Sequence, residues 1–111
     1  MCKTIVVRGS DNQIRVMCIP GPMEINMKKA RALLGIGELS LVRQDELRRL
    51  TGYIRGGVSP LGMIHPYPLY LEETIQLLDT MIVSAGQRGL QLCLAPADLM
   101  RVGGGTWADL G

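Results

Sequence analysis

The sequence predicts an α+β domain in which short helices flank a mixed, curled β-sheet, and three observations predict it. Two β-branched runs face each other across the turn formers Gly9-Ser10-Asp11-Asn12, as in an antiparallel hairpin. The helical segments, three or four of them, are all short, and strands and helices lack the regular alternation of a doubly wound fold. With 111 residues, 47% of them hydrophobic, the chain has room for one domain over residues 1–111 and one core. That core is expected to be aliphatic, because Phe is absent while there are seven Met.

The elements follow in order. Thr4 to Arg8 and Gln13 to Ile19 are the hairpin strands, and Pro20-Gly21-Pro22 stops the second. Asn26 caps a helix with Met27, Ala30, Leu33 and Leu34 at helical spacing, ended by Gly35. Glu38 to Val42 reads as a strand, and Gln44 to Leu50 as a helix with Leu47 and Leu50 inward and Arg43, Arg48 and Arg49 outward. Between Gly52 and Pro68 the breakers are too dense for a regular element, and so long a loop in a compact domain is usually functional. Then come a strand at Leu69-Tyr70-Leu71, a helical turn or two from Glu72 to Leu78, and a strand from Thr80 to Val83. A turn over Ala85 to Gly89 leads into Leu90 to Leu94, and Pro96 opens a last short helix before Gly103-Gly104-Gly105 and the closing residues.

The composition excludes several classes. No apolar run approaches the roughly 20 residues of a membrane-spanning helix, and no export signal is recognisable, so a cytoplasmic location away from membranes is expected. Cys2, Cys18 and Cys93 form no CxxC pair and suit neither a disulfide framework nor a zinc site. A net charge of +2 is too mild to argue for nucleic acid by itself. Local clusters of Lys28, Lys29, Arg31, Arg43, Arg48, Arg49, Arg55 and Arg88 suit phosphate contacts as well as plain solvation.

Familiar catalytic patterns are absent too. Gly57-Val58-Ser59-Pro60-Leu61 lacks the second glycine of a nucleophile elbow, and His65 is the single histidine, in a loop between Ile64 and Pro66. Gly103-Gly104-Gly105-Thr106 has no P-loop lysine, and Gly35-Ile36-Gly37 is no dinucleotide fingerprint. Cys2 reads as a small hydrophobe at a strand start. The residues alone therefore offer a rigid Gly/Pro loop, a strand-borne lysine and basic helices, without a metal cluster, an acid pair or a nucleophile dyad, and they name no reaction.

Four ordered blocks add a resemblance: Lys3-Thr4, Asn26 to Lys29, Leu50 to Gly62 and Val83 to Leu90. Together they resemble the YbaK/EbsC family over essentially the whole chain. The resemblance implies a YbaK-like fold and hydrolysis of the ester joining a mischarged amino acid, typically Cys or Ala, to tRNA for proline. It implies no cofactor and no metal, with tRNA as partner and prolyl-tRNA synthetase as a second one. On this reading Lys3 is the key side chain near the ester with Thr4 beside it, and the G-x-x-x-P loop, Gly56, Gly57, Val58, Ser59 and Pro60, lines the aminoacyl pocket. Ser84 and Gly86 form a further wall, and Lys28, Lys29, Arg55 and Arg88 contact tRNA. The substrate's own groups assist hydrolysis in that family, which agrees with the missing dyad.

Departures from the family pattern bear on these expectations. Members usually carry a helix and a strand ahead of Lys-Thr, whereas this sequence starts two residues before it. A misplaced start, a shortened chain, or a natural short form whose exposed surface a second chain covers, as in a homodimer, would each account for that. Cys2 stands where Tyr is common, Ile64-His65-Pro66 where a basic pair is common, and Gln91 near where some members are acidic. The rival expectations are a non-catalytic form that binds tRNA or a synthetase, and an unstable product.

Overall fold

A computed structural model describes all 111 residues. Strands β1 (Cys2–Gly9) and β2 (Ile14–Pro20) form the expected hairpin, pairing antiparallel from Cys2↔Pro20 to Arg8↔Ile14. The turn between them is tight because Asn12 adopts a positive φ of 63° and the Asp11 carboxylate accepts from the Gln13 N–H. β3 (Leu39–Leu41) adds antiparallel to the far end of β1, at Val7, Arg8 and Gly9. β4 (Leu69–Glu72) joins β2 in parallel, and β7 (Thr106–Ala108) joins β4 in parallel. The sheet is thus mixed and open, in the order β3-β1-β2-β4-β7.

The remaining strands, β5 (Met81–Gln87) and β6 (Leu90–Leu94), form a separate antiparallel ribbon with a register shift between Ser84 and Gln87. Three helices, α1 (Met27–Leu34), α2 (Gln44–Thr51) and α3 (Pro96–Gly103), and a 3-10 turn at Glu73–Leu77 complete the chain. Asn26 and Gly35 cap α1 as the sequence predicts, and Pro96 begins α3. No helix is long and apolar enough to cross a membrane.

Strand alternation divides the core. On one face of the sheet Cys2, Val16, Cys18, Leu69 and Leu71 pack with Ile75, Met81, Val83 and Leu99. On the other, Val7, Met17 and Ile19 pack with Ala30 of α1 and with Leu110. A third group, Val6, Ile14, Val42 and Val58, joins β1 to the Gly/Pro loop, with Leu47 and Leu50 of α2 against it.

Four expectations need correction. β7 was not foreseen, because three residues behind a triple glycine carry too little pattern to distinguish a strand from a tail. β5 runs four residues beyond Val83 through an irregular register that Ala85 and Gly86 disguise as a turn. The strands form two sheets rather than one. Leu33 is 46% exposed: α1 meets the sheet through Ala30 and Leu34, one turn apart, leaving Leu33 beside that stripe.

Candidate active site

A cavity of about 630 Å³ opens along the edge of β1. The ladder explains why that edge is available. β3 pairs with β1 only from Val7 onward, and the Val42 N–H donates to the Val6 carbonyl at 2.9 Å. Alternate residues of an antiparallel strand turn their backbone groups to opposite edges, so Cys2 and Thr4 share the edge of Val6, with no strand paired to them there. Across the cavity stand Leu41 and Val42 of β3, Gln44 and Leu47 of α2, Arg55, Gly56 and Val58 of the loop, and Ser84 of β5.

Each wall has its own anchor. α2 is tied to β1 by a bidentate pair, Arg8 to Glu46 at 2.9 and 3.3 Å. Arg43 and Arg49 also reach Glu46, and the carboxyl sits below its usual range chiefly because Arg8 hydrogen-bonds it. The loop is buried from Gly57 to Pro60. Its backbone passes so close to the ribbon that a Cβ on Gly57 would lie 3.2 Å from backbone atoms of Gln87 and Arg88, so this position admits glycine. Ser84, 7% exposed, accepts the Gly86 N–H on its hydroxyl at 3.2 Å.

Cys2, Thr4 and Val6 share one pleat of β1, and the cavity is lined by all three. The Thr4 hydroxyl oxygen is buried without a hydrogen-bond partner. Cys18, its pair in the ladder, brings a thiol near it, but thiols are weak partners. A hydrogen bond between Cys18 and Cys2 lowers the Cys2 thiol and raises that of Cys18, and burial raises Cys18 further. Lys3 leaves the strand on the opposite pleat, is exposed, and engages no carboxylate; it borders the cavity because the cavity follows the strand's edge.

The residues singled out from sequence fall into three groups. Lys3, Thr4, Arg55, Gly56, Val58 and Ser84 surround the one cavity, although 81 positions separate the first from the last (84 less 3). Gly57, Ser59, Pro60 and Gly86, expected to line the pocket, do not border it: Ser59 accepts the Leu61 N–H, and Gly86 packs on Tyr53. Lys28 and Lys29 sit on α1, and Lys29 is engaged by Asp109 and by the Gly111 carbonyl. The Nε–H of Arg88 donates to the Arg55 carbonyl at 2.8 Å. No three His, Cys, Asp or Glu side chains gather as a metal site would need. Cys2, Leu41, Val42 and Leu47 were missed as lining residues. Alternation from Thr4 would have found Cys2, whereas the others depend on tertiary packing.

The family model for the aminoacyl-tRNA editing domain matches residues 1–102. The chain belongs to that family. Among relatives of this editing domain, EbsC of Enterococcus faecalis, named for Cys-tRNA(Pro)/Cys-tRNA(Cys) deacylation, is 39% identical over 97% of this chain and 66% of its own length. A proline--tRNA ligase of Lactobacillus gasseri is 32% identical over 80% of this chain and 16% of its own. A crystal structure assigned as a trans-editing enzyme for prolyl tRNA synthetase superposes with a TM-score of 0.90 at 30% identity, covering 98% of this chain and 68% of that one. The chain thus spans just under two thirds of its EbsC relative.

Proposed function

We propose that the chain is a trans-editing deacylase that hydrolyses the ester of mischarged tRNA, with Cys or Ala on tRNA for proline as substrate, in the cytoplasm and without a cofactor. The observation that carries this is the convergence of Lys3, Thr4, Gly56, Val58 and Ser84 on one cavity in a chain of the editing family. The cavity's size suits an aminoacyl group with the terminal ribose of its tRNA.

The chemistry follows from what the walls offer. Hydrolysis of an ester needs water, a place for negative charge on the carbonyl oxygen, and a fixed orientation. Lys3 supplies an unpaired cation at the rim, where it stabilises that developing charge. The N–H groups of Gly56 and Val58 have no acceptor within the protein and are free to bind substrate. The unpartnered Thr4 hydroxyl and the Ser84 hydroxyl orient the aminoacyl group. The lone histidine, His65, lies against Tyr67 outside the cavity lining, so a serine or cysteine acyl-enzyme has no base beside it, and water attacks directly. Arg55, exposed at the rim, holds the phosphate of the acceptor end.

The test is deacylation of Cys- and Ala-charged tRNA for proline by wild type and Lys3→Ala. Loss of about 10²- to 10³-fold in kcat is expected for the variant. Equal rates would remove Lys3 from the mechanism. Salt-sensitive tRNA binding without turnover by wild type would instead favour a non-catalytic binding role.

A further inference from the structure

We infer that Arg88 is a positioning residue for this site, one half of a reciprocal clasp that fixes the Arg55–Gly56 peptide against the β5–β6 ribbon. The activity part of this inference rests on the deacylase reading; the structural part does not.

The loop over residues 52–68 needs such a device because its backbone hydrogen bonds go to its own residues, to α2 and, through the Pro68 carbonyl, to Val16 of β2. Gly57 N–H donates to Ile54, Tyr67 N–H to His65, and Ile64 N–H to Thr51 at the end of α2. None of these reaches the ribbon. Two side chains do, and each lies over a glycine of the other segment. From the loop, Tyr53 lies on Gly86, where a Cβ would meet the ring at 2.9 Å. From the ribbon, the Arg88 stem lies on Gly56, where a Cβ would be 3.3 Å from Nε and 3.4 Å from Cγ. Both glycines have positive φ, 101° and 84°, so a side chain is disfavoured there by conformation as well as by space.

The Arg88 Nε–H adds the directional contact, 2.8 Å to the Arg55 carbonyl across 33 positions of sequence. A peptide unit is planar, so a carbonyl fixed on Arg88 turns the Gly56 N–H to the opposite side. That N–H has no acceptor in the protein, and Gly56 borders the cavity. Arg88 engages no carboxylate and does not line the cavity. Its role is to set the orientation of a peptide that substrate meets, and to hold the Arg55 backbone at the rim.

Arg88→Lys separates this from a phosphate contact, since lysine keeps the charge but has no Nε–H to donate from a planar fork. Trypsin cleavage after Arg55 is followed by mass spectrometry against cleavage after Arg101 in α3, which reports opening elsewhere. We expect the ratio to rise by about tenfold in Arg88→Lys, and similarly in Gly86→Ala, which disturbs the other half of the clasp. An unchanged ratio in both variants, or equal acceleration at both sites, overturns the clasp. With charged tRNA, Arg88→Lys is expected to lower kcat by about tenfold with KM within twofold. A raised KM with unchanged kcat would make Arg88 a tRNA contact and overturn the positioning role. Should wild type hydrolyse no charged tRNA, the deacylase reading fails while the cleavage ratio still decides the clasp.

Discussion

On one side of the cavity β1 is held by seven antiparallel pairs to β2 and by a core on both faces of the sheet, whereas on the other the 52–68 loop has no such ladder and is held by the packing of Val58 and by a few hydrogen bonds. Tyr53 donates to the Leu61 carbonyl at 2.6 Å, Tyr67 to the Leu50 carbonyl at 2.9 Å, and Arg88 to the Arg55 carbonyl. A ladder distributes its stability over many bonds, so one altered residue rarely disorders it. A segment without a ladder, held by few contacts, opens locally when one is lost, without unfolding the whole. The cavity thus joins a stiff wall, which carries Lys3 and Thr4, to a wall whose geometry depends on a few contacts.

The largest expected effect is on the stiff side. Leu71 is fully buried in the main cluster beneath β4, and Leu71→Ala should cost about 2–5 kcal/mol in urea unfolding, with one cooperative transition for the whole domain. A loss below about 1 kcal/mol would refute the picture of the laddered sheet as the part that carries the domain's stability.

Next comes Glu72, 1% exposed at the end of β4. Desolvation opposes its ionisation, but hydrogen bonds from the Thr74 hydroxyl, the Leu110 N–H and the Thr74 N–H outweigh it and leave its pKa below the ordinary value. A lowered native pKa means stability that is present above the unfolded value of about 4.3 and is lost as pH falls through the native one. Glu72→Gln should cost about 1–3 kcal/mol at neutral pH and flatten the acid limb of stability against pH. Identical acid limbs in the two proteins would show that Glu72 does not carry this dependence.

The smallest stability effect is expected at Thr4, on the cavity side of β1. Its buried hydroxyl has no partner, so Thr4→Val should leave stability unchanged or raise it by about 1 kcal/mol, while deacylation falls. A marked loss of stability would show that the hydroxyl is satisfied in the folded protein and not held for substrate.

Legibility from sequence follows the same division. The hairpin, the caps of α1 and the start of α3 were readable because each depends on neighbours along the chain: Asp11-Asn12 in the turn, Asn26 and Gly35 at the helix ends, Pro96 at a first helical position. The loop was recognised by its glycines and prolines, but what its glycines face was not. Gly56 and Gly86 look alike as letters, and only the fold sets one under Arg88 and the other under Tyr53.

By itself the sequence determined most of the element types, the aliphatic core and the blocks that mark the editing family, since these are local patterns or ordered runs of residues. The tertiary structure alone decided that β5 and β6 form a separate ribbon, that β7 closes onto β4, and that β3 stops short of Thr4 and leaves an edge open. The physical reason is that such pairings are chosen by how distant segments compete to bury apolar surface and satisfy backbone groups, and no window of sequence contains both competitors.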